Sequence, residues 1–126
     1  MYVLKFTRNA LIDVKTIIPK HLRGPLKNDL LTKVARDPLG CSRELHGALD
    51  GYRSFVWQQY RVVYKVFENL LAVAVVGIGL RSANSTENVY RKLERFARTG
   101  ELVQGVLFSL RGFTKERRQD LPKSGE

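Results

Sequence analysis

The hydrophobic pattern of this chain changes period near residue 51. Between residues 51 and 81, β-branched and aromatic residues dominate, and two polar pairs, Gln58-Gln59 and Glu68-Asn69, interrupt them. Short polar breaks between such runs are typical of hairpin turns. The pattern therefore predicts a meander of three antiparallel strands that span 52–57, 60–67 and 71–78.

On both sides of this meander, the hydrophobic residues recur with other spacings. An alternating segment, Tyr2 to Thr7, predicts an edge strand, and two runs with helical spacing follow it, separated at Pro19. In the second run, Gly24-Pro25 predicts either a kink or a late start with Pro25 in the first turn. The predicted fold class is α+β, with two N-terminal helices packed on one face of a small antiparallel sheet, and a C-terminal helix.

The chain has the size of one ordinary domain. We place this domain at 1–98, and we expect 99–126 to be an extension with a short helix and a flexible tail. A single Cys41 excludes an internal disulfide, and no residue spacing resembles a metal or cofactor site. Since no segment resembles a signal peptide or a bilayer span, we expect a cytoplasmic protein without membrane contact.

The charge of the chain is strongly positive. Twenty-two Lys and Arg against twelve Asp and Glu give a net charge of +10. The electrostatic field of such a charge favours the binding of polyanions, which include RNA, DNA and acidic proteins. An anionic membrane surface or solubility alone would also account for the charge.

The middle strand of the meander presents two different faces. Because side chains alternate along a strand, Arg61 and Lys65 are predicted to point away from Tyr60 and Tyr64. If the tyrosines pack under the helices, Arg61 lies in a groove on the opposite face. We expect Arg53 of the preceding strand in the same groove.

The aromatic residues of that preceding strand allow two interpretations. Phe55 and Trp57 share the face of Arg53 by alternation, so they are placed either to stack on unpaired bases or to pack under a partner or the C-terminal tail. On the first interpretation, the nucleic-acid-binding residues are Arg53, Phe55, Trp57 and Lys65.

Three linked segments, Leu45-His46-Gly47, Tyr60 to Tyr64 and Val76-Gly77, resemble the RelE/ParE superfamily of bacterial type II toxins at near-family spacing. The resemblance covers about residues 2–96 and implies a small helix-on-sheet fold. In the RelE-like branch it also implies an mRNA endonuclease that acts on the ribosome and is held inactive by a cognate acidic antitoxin. Contact with operator DNA would occur only through that antitoxin.

The resemblance implies catalytic roles for three residues. Arg61 matches the arginine of the family's Tyr-Arg-Val strand, Arg81 matches the arginine after the last strand, and Tyr90 matches the tyrosine of the C-terminal Val-Tyr pair. Arg53 matches a basic position of the second strand, whereas Phe55 stands where RelE has a further lysine. The segment between Arg81 and Tyr90 is longer than in the family.

These residue types suit RNA cleavage by attack of a 2′-hydroxyl on the adjacent phosphate. The reaction needs stabilised negative charge on the phosphorane and proton transfer at both ends. Arginine binds phosphate bidentately and stays charged, which suits Arg61 and Arg81. Tyr90 acts as a base only where neighbouring cations stabilise its phenolate.

Two other functions remain open from the sequence. A ParE-like protein would inhibit DNA gyrase by binding, without RNA cleavage, and a plain basic domain would use its arginines only to pair with an acidic partner. Convergence of Arg53, Arg61, Arg81 and Tyr90 on one patch would favour the nuclease.

Overall fold

The computed structural model describes residues 1–81 and 88–120, with side chains described as far as Arg111. None of the helices in these ranges combines the length and apolar character that a membrane span requires. The elements are β1 (Val3–Phe6), α1 (Arg8–Ile17), α2 (Lys20–Asp29) with a following π-helical turn (Leu30–Val34), β2 (Arg43–Glu44), β3 (Arg53–Trp57), β4 (Tyr60–Phe67), β5 (Ala72–Leu80), α3 (Val89–Thr99) and α4 (Glu101–Asp120).

The five strands form one sheet in the order β1-β5-β4-β3-β2. The meander β3-β4-β5 is antiparallel, as the sequence predicted, and β1 lies at the sheet edge, parallel to β5. The opposite edge is β2, which the sequence did not predict because two residues are too few to show alternation. The predicted α+β class is confirmed.

Helices α1 and α2 pack on one face of the sheet. Their buried residues, among them Ala10 and Leu26, pack in one core with Tyr60 and Tyr64 of β4, so the predicted helical pair on the tyrosine face is confirmed. Helix α2 begins at Lys20 and contains Pro25 in its interior, so the predicted late start is wrong. Pro19, whose fixed φ suits the residue before a helix, occupies the N-cap.

Helices α3 and α4 cover the other face. Leu93 of α3 and Leu102 and Val106 of α4 form a second core with Val63 and Val76. Because both faces are covered, β5 is buried from Ala72 to Gly79 and reads as a nearly continuous apolar run. Helix α4 has 20 residues, longer than the short helix expected in the extension. The end of the predicted tail, 121–126, lies outside the described residues.

Candidate functional site

Arg61 is held by a chain of hydrogen bonds across three elements. Its Nη1 donates to the hydroxyl of Tyr90 on α3 at 2.6 Å, and its Cζ lies 5.2 Å from the centre of the tyrosine ring. The Tyr90 hydroxyl in turn donates to Oγ of Ser54 on β3 at 3.0 Å. The Nε of Arg61 is buried and has no hydrogen-bond partner among the described residues. The guanidinium is therefore fixed at one end and keeps donor capacity for a ligand.

A glycine and a helix cap place the Tyr90 ring beneath Arg61. Gly79 is the partner of Arg61 across β4 and β5, and a Cβ built on Gly79 would lie only 2.6 Å from Cβ of Val89. Only glycine therefore lets the first turn of α3 sit this close to β5. The Asn88 side chain accepts a hydrogen bond from the backbone N–H of Tyr90 at 2.8 Å and caps the helix.

A buried ion pair anchors α3, the helix that carries Tyr90, to α1. Asp13 is 1% exposed, and its carboxylate accepts hydrogen bonds from the Ile78 backbone N–H at 3.0 Å and from Nζ of Lys92. The pairing of β1 with β5 ends at Val75, so the N–H of Ile78 lies beyond the end of that ladder. Asp13 supplies the missing acceptor and joins α1, β5 and α3.

Arg81 lies next to Arg61 at the end of β5. Its backbone N–H donates to the Gln59 carbonyl at 2.6 Å. Both arginines line two open clefts. One, here called the turn cleft, measures about 620 Å³ and is lined by Gln58, Gln59, Arg61 and Arg81. The other, here called the Arg43 cleft, measures about 410 Å³ and is lined by Gly40, Cys41, Ser42, Arg43, Ser54, Val56, Arg61 and Arg81.

Arg53 does not belong to this site. It pairs with Tyr64 across β3 and β4, and since directly opposite residues share a face of the sheet, Arg53 lies on the tyrosine face. Its Nε donates to Ser42 Oγ at 2.7 Å, and its Nη1 lies 3.4 Å from a carboxylate oxygen of Glu44. The prediction that Arg53 and Arg61 share a groove is therefore wrong, and Arg53 stabilises the loop before β3.

That loop is also tied to the core through Tyr64. The tyrosine hydroxyl donates to the Pro38 carbonyl at 2.6 Å and lies 3.6 Å from Sγ of Cys41. Burial raises the pKa of Tyr64 well above its ordinary value. This tyrosine is therefore a neutral structural group.

The predicted aromatic platform lies in the core. Phe55 is 6% exposed and Trp57 is 3% exposed, and Nε1 of Trp57 donates to the Asp29 carboxylate at 2.7 Å. The prediction that these rings stack on bases is wrong, because neither ring offers a free face. Lys65 lies on the face of Arg61 but lines neither cleft; its Nζ is 5.4 Å from the centre of the Tyr52 ring.

Two residues of the site were not predicted from the sequence. Arg43 pairs with Ser54 across β2 and β3, which puts the exposed Arg43 on the same face as Arg61. Alternation along β3 was a usable signal for Ser54, but the two-residue strand β2 gave none for Arg43. Within the described part of the chain, no three His, Cys, Asp or Glu side chains are grouped as a metal ion would require.

No family model and no curated protein matches the chain, whereas several solved structures do. The RelBE2 toxin–antitoxin complex from Mycobacterium tuberculosis is 22% identical, with a TM-score of 0.59 over 64% of this chain and 98% of that chain. The isolated Escherichia coli RelE toxin is 22% identical, with a TM-score of 0.54 over 76% of this chain and 99% of that one. The intact E. coli RelBE complex is 24% identical, with a TM-score of 0.53 over 66% and 100%.

These structures define the class to which the fold belongs. It is the small helix-and-sheet fold of bacterial toxins that are found in complexes with antitoxins. More narrowly, it is the fold of the RelE toxin, so the fold that the strand Tyr60 to Tyr64 indicated by resemblance is confirmed.

Proposed function

We propose that this protein is the toxin of a type II toxin–antitoxin system and that it cleaves mRNA on the ribosome. The observation that carries this proposal is the position of Arg61 and Arg81, which line the same two clefts. Paired guanidinium groups that remain charged at every physiological pH suit the phosphodiester of RNA. The fold, shared with the RelE toxin, is consistent with this chemistry.

In the proposed reaction, the 2′-oxygen forms a bond to phosphorus while the bond from phosphorus to the 5′-oxygen breaks. The 2′-hydroxyl loses a proton, and the leaving 5′-oxygen gains one. Arg61 and Arg81 stabilise the extra negative charge on the phosphorane, which makes them catalytic residues. Arg43, which lines the Arg43 cleft together with these two arginines, would bind a neighbouring phosphate of the same strand.

Tyr90 acts first as a positioning residue in this proposal. Its hydroxyl accepts from Arg61 and donates to Ser54, so both of its hydrogen-bonding roles are already used within the protein. This network supports a role in orienting the guanidinium. A role as general base, which the family resemblance implies, would require the bond to Ser54 to be given up.

Tyr90→Phe separates these two roles. The variant keeps the ring beneath Arg61 and removes the hydroxyl, so we expect cleavage to slow by about ten- to a hundredfold, the worth of a hydrogen bond to a charged group. Ser54→Ala, which loosens the same network, should slow cleavage in the same direction, and both variants should keep the wild-type pH profile. The measurement is single-turnover cleavage of ribosome-bound mRNA across pH. A base acts only when it is deprotonated, so loss of the limb over which the rate rises with pH, in Tyr90→Phe alone, would identify Tyr90 as the base.

The proposed activity is tested by mapping RNA ends in a translating extract. Primer extension should reveal cuts within translated codons that disappear when ribosomes are omitted. Gyrase-dependent DNA breaks are assayed in parallel, because one observation favours the ParE-like alternative: the uncharged Ser54 and Val56 occupy the β3 positions beside Arg61, and the basic Arg53 lies on the opposite face. DNA breaks without RNA cuts would replace the nuclease by a gyrase inhibitor.

We further propose a cognate acidic antitoxin as the partner. Two of the similar structures are toxin–antitoxin complexes, and the charge of +10 favours an acidic chain that folds on binding. Operator DNA is reached only through this antitoxin. Purification of the natively expressed protein as a free, inert monomer would contradict the partnership.

A further inference from the structure

The turn between β3 and β4 has a backbone that its residues do not favour. Gln58 has a φ of 52°, in the left-handed region, and both Gln58 and Gln59 are exposed. Two-residue hairpin turns usually place Gly, Asn or Asp where φ is positive, because a longer side chain strains the backbone there. Unfavourable backbone geometry of this kind is concentrated at functional sites.

This turn is joined directly to the arginine pair. The carbonyl of Gln59 accepts the hydrogen bond from the Arg81 backbone, which ties the turn to the start of the segment after β5. The two glutamines line the turn cleft together with Arg61 and Arg81. Nε2 of Gln59 also donates to the Tyr60 hydroxyl at 3.3 Å, which orients its amide.

We propose that Gln58 and Gln59 contact the base adjacent to the phosphate held by Arg61 and Arg81, and that this turn sets the nucleotide preference of cleavage. The inference rests on the proposed RNA cleavage. Arginine contacts to phosphate carry no sequence information, whereas a glutamine amide offers an acceptor oxygen and two N–H donors that match the edges of an unpaired base. Within the turn cleft, the two neutral amides are therefore the groups that distinguish one base from another.

The test is a double variant, Gln58→Gly with Gln59→Ala, compared with wild type on one mRNA of mixed sequence in a translating extract. Glycine adopts the positive φ at position 58 without strain, so the variant should have a melting temperature at or above that of wild type. Cleavage at the best sites should remain within about tenfold of wild type. The ratio of cutting at preferred over disfavoured sites should fall about tenfold or more, because a good amide-to-base contact discriminates by about 1–3 kcal/mol.

Two further variants serve as a control and as a conservative replacement. Gln104→Ala removes an exposed glutamine of α4 that lines neither cleft, and it should leave the pattern of cuts unchanged. Gln58→Asn keeps an amide in a residue that tolerates positive φ, and it should retain part of the preference.

An unchanged pattern of cuts in the folded double variant would overturn the inference and leave the proposed nuclease standing. Loss of all cuts in that folded variant would also overturn it, because the turn would then serve the chemistry rather than the preference. Absence of cuts by the wild-type protein would overturn the proposed function and this inference together. The single variant Gln58→Gly provides the same readout should the double variant fail to fold.

Discussion

Replacing Arg61 or Arg81 with alanine is expected to slow RNA cleavage by about a hundred- to a thousandfold, because one transition-state donor contributes about 3–4 kcal/mol. The fold should survive both changes. Arg81 is exposed at the end of β5, and Arg61 is half-buried outside both hydrophobic cores. Tyr90 and Ser54 can still bond to each other when Arg61 is absent. Growth arrest and primer-extension mapping measure the loss, and circular dichroism verifies folding.

Arg53→Ala is the matched control for this prediction. It removes the same side chain from the same sheet but from the opposite face, so cleavage by the folded protein should fall far less than in Arg61→Ala. Its cost should appear in stability, since Arg53 holds Ser42 and Glu44. Full toxicity of a folded Arg61→Ala protein would contradict the nuclease mechanism. If that toxicity tracked gyrase-dependent DNA breaks, the ParE-like alternative would take its place.

Asp13→Ala is expected to lower the free energy of unfolding by about 3 kcal/mol, the low end of what breaking a buried ion pair costs. The substitution leaves Lys92, whose side chain is 28% exposed, without its carboxylate, and it leaves the N–H of Ile78 without an acceptor. Urea denaturation measures the difference. Because α3 carries Tyr90, cleavage should also slow under conditions in which the variant remains folded.

The exposed Asp50 provides the comparison for Asp13. Asp50→Ala should change the free energy of unfolding by no more than about 0.5 kcal/mol, as surface substitutions usually do. A double-mutant cycle of Asp13→Asn with Lys92→Met should show coupling of about 1–3 kcal/mol between the two residues. A loss below about 1 kcal/mol for Asp13→Ala, or additive single variants, would contradict the anchoring role of this pair.

Much of this architecture could be predicted from periodicity alone. Side chains alternate along a strand, so Tyr60 and Tyr64 indicated the face that α1 and α2 cover, and Arg61 was correctly placed on the other. The meander strands were predicted within two residues of their ends, because polar pairs mark both turns. Arg61, Arg81 and Tyr90 were each assigned from family resemblance, and the structure brings Arg61 into contact with Tyr90 and into common clefts with Arg81.

The error over Arg53 has a specific physical cause. Alternation correctly grouped Arg53, Phe55 and Trp57, but it does not state which face the group occupies. The register of the hairpin decides this: with two residues in the turn, Trp57 lies opposite Tyr60, so the whole group falls on the tyrosine face.

Contacts between segments that are distant in the sequence could not be predicted from local patterns. Asp13 and Lys92 are 79 residues apart, and no local period connects them. The contribution of Arg43 depends on β2, a strand of two residues that forms only because β3 is present beside it.

The parallel pairing of β1 with β5 sets an order of assembly during translation. β1 is made first, yet its partner residues are 72–75, so the first strand waits unpaired while more than half of the chain is synthesised. Arg61 gains its neighbour Tyr90 later still, when α3 has left the exit tunnel. A site that we propose acts on translating ribosomes is therefore incomplete for most of its own synthesis, and the ribosome that makes the chain has translated past α3 before a competent copy exists.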